Sequence, residues 1–151
     1  MIAEPVDVAG LDSDWRALLD AAAEARRRAH APYSRFAVGA AVRTGSGHIY
    51  SGANIENASS GLTVCAERVA LWKAVSEGEQ HFQALAVITD TGATPCGACR
   101  QVLVEFEADL PVLVADTAGH AWMTSLAALI PDAFPRVNYG TEASAGDTDA
   151  E

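Results

Sequence analysis

Apolar positions along the chain switch between helical and strand spacing. Trp15, Leu18, Leu19 and Ala22 recur at helical intervals, with Asp12 or Ser13 placed to cap the start. Arg26, Arg27 and Arg28 fall in the last turns, where cations suit the carbonyl end, and Pro32 stops the helix. This arginine run reads as a solvated helix end rather than a binding patch. Residues 36–43 and 48–53 read as strands joined by the turn Thr44-Gly45-Ser46-Gly47, forming an antiparallel hairpin. A helix over 64–76 ends at Gly78, a buried strand follows over 82–89, and a second helix over 96–107 begins after Pro95. Short strands over 112–115 and 121–123 flank Gly119, and 126–130 makes a last short helix. A hairpin followed by helix, strand, helix and strand predicts an α/β domain whose mixed sheet is covered on both faces. The short gap between the last two strands makes that pair antiparallel.

The ends of the chain depart from this pattern. Residues 1–11 are of mixed polarity and predict a flexible N-terminal tail. Residues 137–151 are rich in Ala, Ser, Thr, Gly and acid, and predict an acidic, disordered C-terminal tail. The domain proper spans 12–136. No repeat or interior linker interrupts it, and 151 residues suit one domain.

Composition narrows the partners. Twenty Asp and Glu against ten Lys and Arg give a formal net charge of −10. A sequence-blind nucleic-acid binder depends on basic side chains to neutralise phosphates, so this balance disfavours nucleic acid, and it equally disfavours anionic lipid. No apolar run approaches a membrane span, and the N-terminus lacks the layout of a signal peptide. Three cysteines cannot all pair within one chain, which argues against a disulfide scaffold. A reducing, cytoplasmic setting is expected.

Those three cysteines carry the chemistry. Cys65 opens one predicted helix, and Cys96 and Cys99 open another at a spacing that lets both sulfurs reach one side. A helix N-terminus favours thiolate over thiol, and clustered thiolates suit zinc. A structural zinc site is closed by four protein ligands, whereas a catalytic one keeps three and leaves the fourth position to water. His48, His81 and His120 stand too far along the chain from any cysteine to complete a local motif. Glu67, two residues after Cys65, shares the site only if its helix approaches the metal end-on. There a carboxylate can move protons between activated water and a leaving group.

The ordered set of motifs resembles the zinc-dependent cytidine deaminases of the small, homotetrameric type. The resemblance runs over about residues 12–136. It is carried by Ala31-Pro32-Tyr33-Ser34-Arg35-Phe36, Val38-Gly39-Ala40-Ala41 and Asn54-Ile55-Glu56-Asn57-Ala58-Ser59. It continues in Cys65-Ala66-Glu67-Arg68, Pro95-Cys96-Gly97-Ala98-Cys99-Arg100-Gln101 and Leu129-Ile130-Pro131 to Phe134. It implies a three-layer α/β fold with a five-stranded mixed sheet between helices. It further implies one zinc per subunit on Cys65, Cys96 and Cys99, with Glu67 as the proton shuttle. Asn54 and Glu56 are expected to bind the ribose hydroxyls, Phe36 to pack against the substrate, and the Ala66 N–H to orient the base. Arg68 is expected to donate to the cysteine sulfurs, and Phe134 to lean into a neighbouring subunit's site. The implied reaction is hydrolytic deamination of free cytidine and 2'-deoxycytidine, releasing ammonia, in pyrimidine salvage.

Ser60 stands where an aromatic residue is common in the family, and Ala37 where proline is frequent. Ser60 leaves room for a related substrate such as blasticidin or a modified cytidine. An alternative of another class is a non-catalytic, zinc-stabilised interaction protein. Trp72 and Trp122 read as core, and Arg100 as a solvated or interface charge.

Overall fold

The computed structural model describes residues 3–136. The predicted C-terminal tail over 137–151 lies outside the described residues. The first regular helix, α1 (Ser13–Arg26), starts where the sequence places it, with Asp12 Oδ1 accepting from the Trp15 N–H at 2.9 Å. The hairpin is β2 (Gly39–Thr44) and β3 (Ile49–Ala53), paired antiparallel with Gly39 opposite Ala53. Then follow α2 (Ala66–Ser76), β4 (Phe82–Thr89), α3 (Gly97–Val104), β5 (Pro111–Asp116), β6 (Ala121–Ser125) and α4 (Leu126–Leu129).

The sheet has six strands, not the expected five. Its order is β1-β6-β5-β4-β2-β3, and the additional strand is β1 (Glu4–Val6). It lies within the segment expected to be a flexible tail. Glu4, Pro5 and Val6 pair antiparallel with Met123, Trp122 and Ala121, covering what would otherwise be a free edge. Composition alone misses this because the strand is only three residues long and its partner edge is built from the far end of the chain. Asp7 then caps a 3₁₀ turn over Val8–Gly10, and Val6, Val8 and Leu11 pack under α1. Pro5 is tolerated because the strand is an edge strand.

Only β4 and β5 run parallel, with α3 on the connection between them; β5 and β6 are antiparallel as the short gap predicts. Side chains alternate across the sheet. Leu85 and Val87 of β4 face α2, α3 and α4, together with Leu71 and Leu103, while Ala84 and Ala86 face α1 with Leu18 and Ala22. Alanine supplies much of the α1 face, including Ala41, Ala115 and Ala121, so that helix seats close to the strands. The predicted strand over 36–43 begins late, at Gly39; before it the Phe36 carbonyl and the Val38 N–H are bonded to the Asn54 side chain. Trp72, expected in the core, is 46% exposed on α2. Among the described residues no helix is long and apolar enough to cross a membrane.

Candidate active site

Two helix N-termini point at one place beyond the carboxyl end of β4. Cys65 is the N-cap of α2 and Cys96 the N-cap of α3, and neither uses its side chain to cap the helix. Both residues sit at the positive dipole ends of their helices, which favours thiolate over thiol. Cys99, one turn into α3, is fully buried beneath them. The three Sγ atoms lie within 4.8 Å of one another and form the one such group of potential metal ligands among the described residues.

The donor set passes a geometric test for zinc. Sulfurs about 2.3 Å from one tetrahedral ion lie about 3.8 Å apart, and Cys65 Sγ is 3.9 Å from Cys96 Sγ. The thiols are already polarised: the hydrogen bond from Cys99 holds Cys65 down to about 5, Arg68 and Cys96 adding to the effect, while Cys99 itself is pushed up. A divalent ion displaces the protons that such a cluster shares. Arg68 Nη2 donates to Cys65 Sγ at 3.5 Å, and its guanidinium lies 5.9 Å from the centre of the Trp72 ring. The contact supplies a cationic donor to the sulfur cluster. Three of the four histidines pair elsewhere, His48 with Glu79, His81 with Glu107 and His120 with Asp116, and the backbone carbonyl of His30 accepts from the Glu56 N–H at 2.8 Å.

A cleft of about 240 Å³ opens beside the sulfurs, lined by Phe36, Asn54, Glu56, Cys65, Glu67 and Cys96 among others. Glu67 is 5% exposed at the second position of α2. Burial pushes its carboxyl up to about 7; the Cys65 charge adds to this and Arg68 opposes it. A carboxyl with that value can both take and give a proton near neutrality. It reaches the cleft because α2 approaches end-on, as the sequence requires.

Asn54 and Glu56 stand on either side of Ile55, whose N–H and C=O are both bonded to Val64 at 2.9 Å. Alternation then turns both polar side chains toward the cleft. Asn54 Oδ1 accepts from the Val38 N–H at 2.9 Å and its Nδ2 donates to the Phe36 carbonyl at 2.8 Å. Each end of the amide keeps capacity for one more bond. Glu56 Oε2 accepts from the Tyr33 N–H at 2.8 Å and the Ser34 N–H at 3.2 Å. Hydrogen bonding from the Ser34 side chain, then from these amides, keeps its carboxyl below the usual range, so it remains an acceptor. The Ser34 hydroxyl also accepts from the Phe36 N–H at 3.0 Å across the left-handed Arg35, which fixes Phe36 at the mouth.

Ala66 is buried at the first position of α2, beside the thiols. Phe134 is 71% exposed and lines no part of this chain's own cleft. Ser60 is exposed at the start of a 3₁₀ turn over Ser60–Leu62. Four polar lining residues were not anticipated: Ser34, Thr63, Thr89 and Thr94. Thr94, next to Pro95 and Cys96, and Ser34, within the motif before Phe36, had a signal in their positions; Thr89 is brought in by the end of β4 and Thr63 by the turn before α2. Arg100, read from the sequence as a solvated or interface charge, donates from all three guanidinium nitrogens to acceptors within the chain.

Residues 12–115 match the family model described as the cytidine and deoxycytidylate deaminase zinc-binding region. A cytidine deaminase of Sporosarcina psychrophila is 45% identical over 134 residues, covering 85% of this chain and 98% of that protein. The chain belongs to this deaminase family. The deaminase fold is shared with the crystal structure of cytidine deaminase from Burkholderia pseudomallei, at a TM-score of 0.76 and 47% identity, covering 79% of this chain and 98% of that one. A blasticidin-S deaminase of Bacillus cereus is more distant, 33% identical over 109 residues, covering 66% of this chain and 77% of that protein. Cys65, Cys96 and Cys99 form a group that could hold the zinc of this zinc-binding family.

Proposed function

We propose that the chain catalyses hydrolytic deamination of free cytidine and 2'-deoxycytidine to uridine and 2'-deoxyuridine. The observation that carries this reading is Glu67, buried in the same cleft as a three-sulfur cluster. Cys65, Cys96 and Cys99 would hold zinc, which when bound would supply water activated for attack near pH 7.

The residues of the chain do the rest. A Glu67 carboxylate oxygen takes a proton from the attacking water as its oxygen bonds to C4 of the pyrimidine. The same carboxyl delivers that proton to the ring nitrogen, then takes the second proton from the new C4 hydroxyl and passes it to the exocyclic amine, which departs as ammonia as the C4 carbonyl forms. Water and cytidine thus become uridine and ammonia, with Glu67 returned to its starting state. The Ala66 N–H, at the positive end of α2, orients the base, and Phe36 packs against it. Asn54 donates its remaining N–H, and Glu56 accepts, at the ribose hydroxyls; this pairing favours a ribose nucleoside over blasticidin.

The working unit in this reading is a homotetramer with shared sites. Leu62 at 67%, Ile55 at 49% and Trp72 at 46% exposure border Glu56, and Phe134 is free to enter a neighbour's cleft. Three unpaired thiols suit a reducing cytoplasm.

The test is Glu67→Gln. Turnover of cytidine, followed as the loss of its absorbance, should fall by at least about 10²-fold, as removal of a general acid–base does. Zinc content should stay at one per chain. Substantial remaining activity would refute the assignment of Glu67. Zinc present with no turnover in the unaltered chain, on cytidine, deoxycytidine or an antibiotic analogue, would favour the non-catalytic alternative.

A further inference from the structure

The loop after β4 delivers Thr94 and Cys96 to the cleft, and something must hold it. It has no regular secondary structure from residue 90 to 96, and Pro95 has no N–H to contribute. Its first half is tied down at Thr89, whose Oγ1 accepts from the Thr91 N–H at 3.3 Å and the Ala93 N–H at 2.9 Å. Gly92 at φ +70° lies flat on Trp122, where an added Cβ would come within 2.5 Å of the ring. The second half, the part that ends at the metal ligand, is held by Arg100.

Arg100 Nε donates to the Pro95 carbonyl at 2.7 Å and Nη2 to Thr94 Oγ1 at 3.0 Å. Nη1 donates to the carbonyl of Leu129, the last residue of α4, at 2.6 Å. A planar fork with donors in fixed directions meets three acceptors from two parts of the chain at once. The next residue extends the link, Gln101 Nε2 donating to the Phe134 carbonyl at 3.0 Å. The loop, the start of α3 and the segment after α4 are thereby fastened into one body.

We propose that Arg100 is a positioning residue of the deaminase: it fixes the Thr94–Cys96 loop, and with it one zinc ligand and one wall of the substrate cleft, against α4. It touches neither the sulfurs nor the substrate. Its effect passes through Thr94 and Pro95 to Cys96, and this inference rests on the deaminase reading above. Lysine keeps the charge of Arg100 but, as a point donor, cannot span the three acceptors.

The experiment compares Arg100→Lys with Val102→Ala, a truncation on the same helix whose side chain packs against the core. Two readouts are taken: the rate at which a chelator strips zinc, which needs no turnover, and the separate kcat and KM for cytidine. Arg100→Lys should lose zinc about tenfold faster and lose about 10- to 100-fold in kcat/KM, the range for residues that orient metal ligands. Val102→Ala should lower the melting temperature without either change. Unchanged stripping and kinetics in Arg100→Lys would overturn the proposal, since charge alone would then suffice. So would changes no larger than those in Val102→Ala, which would mark a general stability effect. If the unaltered chain binds zinc but does not turn over cytidine, the deaminase reading fails while the stripping rates still report on Arg100.

Discussion

Gly52 faces α2 from β3, and replacing it with alanine is expected to damage the site through the seat of that helix. An added Cβ would lie 2.6 Å from the Ala70 nitrogen, 2.8 Å from the Ala66 carbonyl oxygen and 2.8 Å from Val69 Cβ. The first two are backbone atoms, so no rotamer change relieves the overlap. Non-bonded heavy atoms reach favourable contact at about 3.5 Å, so α2 must lift by roughly 1 Å near Ala70. Cys65 and Glu67 ride on the start of this helix, while Cys96 and Cys99 stay with α3. The change therefore divides the metal ligands along the line between the two helices. Overpacking of this kind costs about 1–3 kcal/mol, or roughly 2–12 °C in a domain of this size. A misplacement near 1 Å costs about 10²-fold in rate. The assays are thermal melting, zinc per chain and kcat/KM for cytidine. Gly39→Ala supplies the comparison, because its Cβ would meet the Ala22 carbonyl oxygen at 2.0 Å and Arg26 at 2.7 Å on α1, across the sheet. It should lose at least as much stability but less activity at equal occupancy of folded protein. If Gly52→Ala melts lower yet keeps kcat/KM within about twofold, the seat of α2 does not set the site, and the reasoning from a 1 Å displacement is refuted.

Two further outcomes follow from contacts already described. Asn54→Ala removes the partners of the Val38 N–H and the Phe36 carbonyl, so the loop bearing Phe36 should loosen; KM for cytidine should rise at least about tenfold, with about 1–3 kcal/mol lost in urea unfolding. A normal KM would show that the loop is held by other means. Removing residues 1–6 uncovers β6 as an edge; the truncated chain should melt lower and self-associate in light scattering, with kcat per folded chain little changed. A truncation as stable and as dispersed as the full chain would deny β1 its role.

Much of this protein was legible in the sequence because the signals are local. Asp12 before an amphipathic run, Gly-rich turns and the alternation of strand and helix depend on near neighbours, and the elements from α1 to α4 appear in the predicted order, with β2 and α3 shorter than the spacing suggests. The cysteine motifs are equally local, and three thiols at two helix starts fix the donor chemistry of the site. What spacing cannot express is convergence. The 3.9 Å between Cys65 and Cys96 sulfurs exists because α2 and α3 both pack on the face of the sheet that carries Leu85 and Val87, with their N-termini toward one point. The burial that moves Glu67 to about 7 is a property of that packing, and so is the triple anchorage of Arg100. The sixth strand makes the same point at the sheet edge: Glu4–Val6 has too little apolar surface to be ordered alone, and it becomes a strand only when β6 offers it unpaired backbone groups.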